Sequence, residues 1–385
     1  MLLGKFGSDN VSGEVPTIIF VVSEDWSVLL YRLPMARAAR DAGFRVVIAT
    51  RVRTSGQRIR DEGFEVFPVE IDRGSTSVLR EMRAVASLCR LFSRTRPDII
   101  HNVSVKPIVL GGLAALIVPS ARVINSYTGL GSVLSDYSRD SLVKRAINRI
   151  LRGLRRRKAV HAIVQNDDDY RLLIERRLAD PGRIMLVPGS GVDTEGFRPT
   201  PEPQAPVVAV MVSRLLRDKG LCELMEAARL LKAREVPIRI RIVGDIDPDN
   251  PTSVGQEEVA DWVRQDLADF VGRKTDIASE WKTAHIAVLP SYREGMPKAL
   301  LEAAASGRPL VTTDVPGCRD LVPNGETGLL VPARDAEALA DALEHLTVNA
   351  DERRTKGAAA RRLVEDKFSE RAIMERMSEV YRQLS

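Results

Sequence analysis

The sequence predicts an α/β protein of two similar halves, each a parallel sheet with helices on both faces, set opposite one another across a cleft. Three observations carry this. The chain has 385 residues, too many for one ordinary core and suited to two domains of nearly equal size. Short apolar, β-branched runs alternate with segments of helical period from one end to the other. Near the middle, Arg198-Pro-Thr-Pro-Glu-Pro-Gln-Ala-Pro206 places four prolines in nine residues, where neither a helix nor a central strand can continue.

Before that break the strand-like runs are 17–22, 45–49, 98–101, 122–125, 161–165 and 185–187. After it they are 207–212, 238–243, 285–289 and 309–312. None shows polar alternation, the pattern of strands covered on both faces. Helical spacing fills segments between them, among them 31–42, 78–92, 221–232 and 298–305. Two doubly wound, Rossmann-like domains follow, at 1–198 and 207–367, joined by a linker at 199–206. Their ligands are expected at the C-terminal ends of the strands. A last helix at 370–384 has no strand after it, so residues 368–385 either cap the second domain or cross back to the first.

Composition narrows the class. Hydrophobic residues make up 44% and charged residues 28%, as in a globular protein and unlike a disordered one. Cys89, Cys222 and Cys318 lie far apart with no CxxC pair, and the chain has only four histidines. A zinc site or a disulfide framework is therefore not expected. The first sixteen residues lack the apolar core of a signal peptide. The longest apolar run, 109–118, stops at Pro119 after ten residues, whereas a membrane-spanning helix needs about twenty. The expectation is a cytoplasmic protein that does not cross the membrane. Its net charge of +5 points to an anionic partner, and nucleic acid, nucleotide phosphates and anionic lipid each fit.

The strongest chemical signal is Ser291-Tyr-Arg-Glu-Gly-Met-Pro-Lys-Ala-Leu-Leu-Glu302. A strand ends just before it, Gly295 and Met296 form the loop, and Pro297 stands where a helix should begin. The N–H groups of Lys298, Ala299 and Leu300 would then face the cleft, and a helix start of this kind suits a phosphate. Glu294 in the loop and Glu302 in the helix would clasp the hydroxyls of a sugar and a ribose. The second signal is Val212-Ser-Arg-Leu-Leu-Arg-Asp-Lys-Gly220, which sets Arg214 and Lys219 at another strand end. Two cations there would neutralise a diphosphate leaving group as its charge develops. In the third, Gly244 closes a strand and admits close approach of a ligand. The acidic residues after it lack the spacing of a calcium loop.

These segments resemble the donor domain of glycosyltransferase family 4, retaining enzymes of the GT-B fold. The matching features are the Glu-x7-Glu pair, the Ser-Arg-x4-Lys-Gly loop, and Pro316-Gly317-Cys318 leading to Asn324-Gly-Glu-Thr-Gly-Leu-Leu-Val331. The resemblance implies that Glu294 contacts the donor sugar, Glu302 the ribose, and Arg214 and Lys219 the diphosphate. It implies no cofactor beyond the nucleotide sugar and no metal ion. The first half is similar to bacterial transferases that extend polyprenyl-diphosphate-linked sugars in O-antigen, capsule and N-glycan precursor assembly. Ser23-Glu-Asp-Trp26, Arg32-Leu-Pro34, His101-Asn-Val-Ser-Val-Lys-Pro107 and Tyr127-Thr-Gly-Leu-Gly131 carry that similarity. By it, Trp26, Arg32, His101, Lys106, Tyr127, Thr128, Gly129 and Gly131 would meet the acceptor. Two departures stand out. Ser23-Glu24-Asp25-Trp26 replaces a glycine pair common after the first strand, and no cleft histidine follows Asn125.

Segment 141–158 carries a further signal. Leu142, Val143, Ala146, Ile147, Ile150, Leu151 and Leu154 recur at helical spacing, while Arg145, Arg149, Arg152, Arg155 and Arg156 cover other faces. A basic amphipathic helix suits an anionic membrane surface. Alternatively, its apolar face packs on its own domain and the basic face is solvated. The expected partners are thus a nucleotide sugar, a polyprenyl-diphosphate-linked acceptor and the inner face of the cell membrane, with peripheral attachment. A sugar-nucleotide 2-epimerase shares the fold and is the alternative enzyme. A nucleic-acid-binding role is not expected, because no reading motif or interleaved aromatics accompany the arginines.

Overall fold

A computed structural model describes residues 15–72, 77–128, 142–157, 159–248 and 250–384. Gly129 and Gly131 of the expected acceptor loop lie outside them. The first sheet comprises β1 (Thr17–Glu24), β2 (Arg45–Arg51), β3 (Glu65–Pro68), β4 (Ile99–Val103), β5 (Arg122–Tyr127), β6 (Val160–Val164) and β7 (Ile184–Leu186) in the order β3-β2-β1-β4-β5-β6-β7. The second comprises β8 (Val207–Val212), β9 (Ile238–Val243), β10 (Asp269–Phe270), β11 (Ile286–Leu289), β12 (Leu310–Thr313) and β13 (Gly328–Val331) in the order β10-β9-β8-β11-β12-β13. Neighbouring strands pair in parallel in both. In each sheet the strand order reverses beside the first strand, at β1/β4 and at β8/β11. Such switch points open a crevice for ligand at the strand C-termini.

The helices of the first half are α1 (Asp25–Tyr31), α2 (Leu33–Asp41), α3 (Gly56–Asp61), α4 (Val78–Thr95), α5 (Val105–Ala114), α6 (Leu142–Arg155) and α7 (Asp167–Glu175). Those of the second are α8 (Leu221–Ala233), α9 (Gln256–Arg264), α10 (Ile277–Lys282), α11 (Lys298–Ala305), α12 (Ala336–Val348) and α13 (Ala350–Lys367), followed by α14 (Glu370–Gln383). The helix expected over 31–42 is α2, which starts only after Arg32, and α1 before it was not expected. Pro34 lies in the first turn of α2, the place a helix accepts proline most readily.

Ser369 caps α14, its hydroxyl accepting the N–H of Ala372 at 3.3 Å. The chain there is pinned by Val192, whose N–H donates to Phe368 O and whose carbonyl accepts from Glu370 N, both at 3.0 Å. Ile373, Met377 and Tyr381 of α14 are fully buried with Ile18 and Phe20 of β1 and Phe44. The last helix therefore crosses back onto the first half.

Helix α6 turns its apolar side inward. Leu151 and Leu154 are buried with Ile108 of α5 and Leu173 of α7. Arg155 donates to Asp180 at 3.0 Å and Arg152 to the carbonyl of Arg176 at 3.2 Å. Arg157 satisfies the carbonyls of Ala115, Val118 and Ala121. Arg145, Arg149 and Arg156 face solvent. The apolar face thus serves the domain's own packing, and only the basic face is offered outward. Among the described residues no helix is long and apolar enough to cross a membrane.

Candidate active site

A cleft of about 650 Å³ lies between the two sheets, at the ends of the strands that flank both switch points. The second half brings Arg214 and Lys219 from the loop after β8 and residues 294–299 from the loop after β11. The first half brings Trp26 and Arg32 from the segment after β1, Lys106 from α5 and Thr128 from the end of β5. Groups expected to hold donor and acceptor are therefore brought to the same cavity from opposite sides.

On the donor side, the Lys219 ammonium donates to Glu294 Oε1, and both side chains are half-buried. Arg214 forms an ion pair with Asp247. Each cation is thus paired with a carboxylate. Pro297 is the N-cap of α11, and Lys298 and Ala299 line the cleft, where the leading N–H groups of a helix have no acceptor within the helix. Leu300 differs from expectation. Its N–H donates to Pro297 O at 3.1 Å and its side chain lies in the hydrophobic core, so it has no donor group to offer. Glu302 is 7% exposed and does not itself line the cleft. Burial pushes its carboxyl up to about 7, against the pull of the Lys298 ammonium. Lys298 itself donates to Leu30 O at 2.6 Å and lies over the Tyr31 ring, 5.8 Å from its centroid, bridging the two halves.

Gly244 serves packing where the sequence predicts a ligand contact. A Cβ there would lie 1.8 Å from Ser213 O, so the glycine lets β9 close against the loop that carries Arg214. It does not line the cleft; its contribution is to the placement of that loop.

On the acceptor side, Arg32 is 6% exposed and lines the cleft, with a 3.9 Å contact to Met35 Sδ. Burial lowers its guanidinium to about 10, the signature of a cation held short of solvent. Trp26, 40% exposed, forms the rim. Thr128 shares a 2.9 Å hydrogen bond with Ser104. Lys106 donates to Glu81 at 2.7 Å and to the Asp72 carbonyl, so it reaches the cleft already engaged. His101 and Tyr127 do not line it. His101 is fully buried, with Nε2 2.6 Å from Ser126 Oγ and Nδ1 3.0 Å from the Tyr381 hydroxyl. Burial and the nearby Arg32 push its imidazole down to about 3, so it stays neutral. Tyr127 lies in the core beneath α5 and α6, its hydroxyl pushed up by burial. Strand alternation turned these two side chains inward while sequence reading placed them at the strand ends.

Some participants escaped sequence reading. Asp25, fully buried, accepts the N–H groups of Trp26, Arg53 and Ser55 at 2.7–2.8 Å. It thereby ties the start of α1 to the segment after β2. Asp247, the partner of Arg214, lay in the acidic stretch set aside as a poor calcium loop. Asn166 and Asp169 reach across from α7 to the Glu294 loop. The one signal for them was an asparagine at a strand end, followed by three aspartates.

Two family models match the chain, one in each half. The family described as "Glycosyl transferases group 1" matches residues 206–349, and "Glycosyl transferase 4-like" matches residues 17–163. The chain is a family 4 glycosyltransferase. Among relatives of this glycosyltransferase, the N,N'-diacetylbacillosaminyl-diphospho-undecaprenol alpha-1,3-N-acetylgalactosaminyltransferase of Campylobacter jejuni is 25% identical, over 83% of this chain and 86% of that one. The UDP-Gal:alpha-D-GlcNAc-diphosphoundecaprenol alpha-1,3-galactosyltransferase of Escherichia coli is 26% identical, over 74% and 76%. Sucrose-phosphate synthase from Thermosynechococcus elongatus shares the fold with a TM-score of 0.78, at 21% identity, over 96% of this chain and 99% of that one. The glycosyltransferase therefore has the GT-B architecture.

Proposed function

We propose that this glycosyltransferase moves a sugar, with retention, from a UDP-linked donor to a polyprenyl-diphosphate-linked sugar at the cytoplasmic membrane face. The observation that carries the reading is the convergence of Lys219, Glu294 and the start of α11 with Arg32, Trp26 and Thr128 across one cavity. The acceptor and donor classes are supported by the printed names of the two bacterial relatives. In this reading residues 1–198 bind the acceptor, 207–367 bind the donor, 199–206 link them, and 368–385 tie the donor domain back to the first.

Retention needs no protein nucleophile if the acceptor hydroxyl attacks from the face the diphosphate leaves. The protein then positions the two substrates and stabilises the departing charge. Glu294 orients the donor sugar, and Lys219, released from Glu294, meets the diphosphate together with Arg214 and the leading N–H groups of α11. Gly295 and Met296 shape the loop around the sugar, and Glu302 contacts the ribose. With that positive charge in place the step takes no metal ion. Arg32 faces the acceptor's charged end. The exposed arginines of α6 meet anionic headgroups.

A hydrolysis panel of UDP- and GDP-sugars, run with and without EDTA, tests this without needing the acceptor. Slow release of UDP from one or a few donors, undiminished by the chelator, is expected. Hydrolysis of GDP-sugars alone would overturn the donor assignment. Loss of turnover in EDTA, restored by Mg²⁺ or Mn²⁺, would overturn the metal-free step.

A further inference from the structure

We propose that Asn166 and Asp169, on the half opposite the donor site, are positioning residues for Glu294. The proposal rests on the reading that Glu294 contacts the donor sugar.

The chain leaves β6 and enters α7 through Asn166, the N-cap, whose Oδ1 accepts the N–H of Asp169 at 2.7 Å. Both residues are buried, at 2% and 0% exposure. Capping occupies only the oxygen of the Asn166 amide. Its Nδ2 donates across the domain boundary to Gly295 O at 2.8 Å. Asp169 Oδ1 accepts from Arg293 Nη2, also at 2.8 Å. The residues immediately before and after Glu294 are thus each tied to the same helix start in the other half.

The far side of the loop is closed as well. Glu294 N–H donates to Pro316 O at 3.3 Å. A Cβ on Gly317 would lie 2.4 Å from Gly295 O and 2.9 Å from Glu294 O, so that turn is seated directly against the loop. Arg319, two residues on, donates to Asp168 Oδ2 at 3.0 Å. One helix start therefore grips both walls of the slot that holds Glu294.

Burial makes the grip firm. A buried carboxylate that loses its partner is left uncompensated, so parting Arg293 from Asp169 is costly. Burial pushes the Asp169 carboxyl up, and Arg293 and Asn166 pull it back. A group acting on a reacting sugar must be held within about half an ångström of its productive place. Here that placement depends on contacts made from the opposite half.

The test uses Asn166→Ser, which keeps a capping oxygen but is too short to reach Gly295. Binding of UDP is measured by calorimetry, and turnover with the donor that the hydrolysis panel selects. The expected kcat loss is about 10-fold or more, with UDP affinity held within about threefold. In a Glu294→Gln background the same change should cost less than about twofold, because a misplaced group and a missing one are the same defect. Arg293→Lys should retain more turnover than Arg293→Met, which checks the second tie from its more accessible side. Full turnover in Asn166→Ser overturns the proposal, as does an undiminished loss in the Glu294→Gln background or UDP affinity falling in step with rate. Wild-type turnover in Glu294→Gln alone would instead remove Glu294 from the site, and the proposal with it.

Discussion

Glu302→Gln separates what the buried carboxyl costs the fold from what it gives the site. Glu302 is 7% exposed, and burial lifts its carboxyl from 4.5 to about 7. The folded chain therefore keeps a proton that the unfolded chain releases between about pH 4.5 and 7. Stability falls as pH rises through that window and is unaffected below it. At 1.36 kcal/mol per pH unit, the loss above pH 7 amounts to about 3 kcal/mol. Glutamine has nearly the same shape and no proton to lose. The variant should unfold roughly 5 °C or more above wild type at pH 8, and with it at pH 4.5. Its KM for the donor should rise about 10-fold, about 1.4 kcal/mol of lost ribose contact. Fluorescence-monitored melting across pH 4.5–8, beside donor kinetics, reads both quantities. A stability difference that does not change with pH, or a variant less stable at pH 8, would refute the reasoning.

Lys219→Ala should raise donor KM and lower kcat together, since the diphosphate is charged in the ground state and more so as it leaves; a change in KM alone would confine Lys219 to binding. Wild-type protein should bind vesicles containing anionic lipid in a salt-sensitive way. Reversal of Arg149 and Arg156 to Glu should abolish this, whereas reversal of Arg155, which is paired with Asp180, should act through stability instead. Flotation of the double variant with anionic vesicles would make the basic face of α6 a solvated surface only.

Much of the architecture was legible in the sequence, because parallel strands covered on both faces leave unbroken apolar runs and prolines mark the join. The donor-side loops were legible for a related reason. Gly295, Pro297 and Gly220 punctuate strand-to-helix turns, and turns at strand ends are where α/β folds bind. The acceptor side read less well. His101 and Tyr127 sit at strand ends in the sequence, but β4 and β5 turn them into the interior, and period-two alternation cannot say which face is wet when both are covered. Helix α1 went unseen because its seven residues are too few to show a helical period. Contacts between the halves, such as Asn166 to Gly295, join residues more than a hundred positions apart. No local pattern encodes them. The crossing of α14 was left open for the same reason, since its amphipathic face fits either domain.

The account turns on Glu294 acting on the donor sugar, and one comparison tests that most directly. Turnover of the selected UDP-sugar is measured for wild type and Glu294→Gln, with UDP binding and melting recorded on the same samples. The account predicts a rate loss above about 100-fold, about 2.7 kcal/mol of barrier, with UDP affinity and melting temperature little changed. Turnover near the wild-type rate in Glu294→Gln would contradict it.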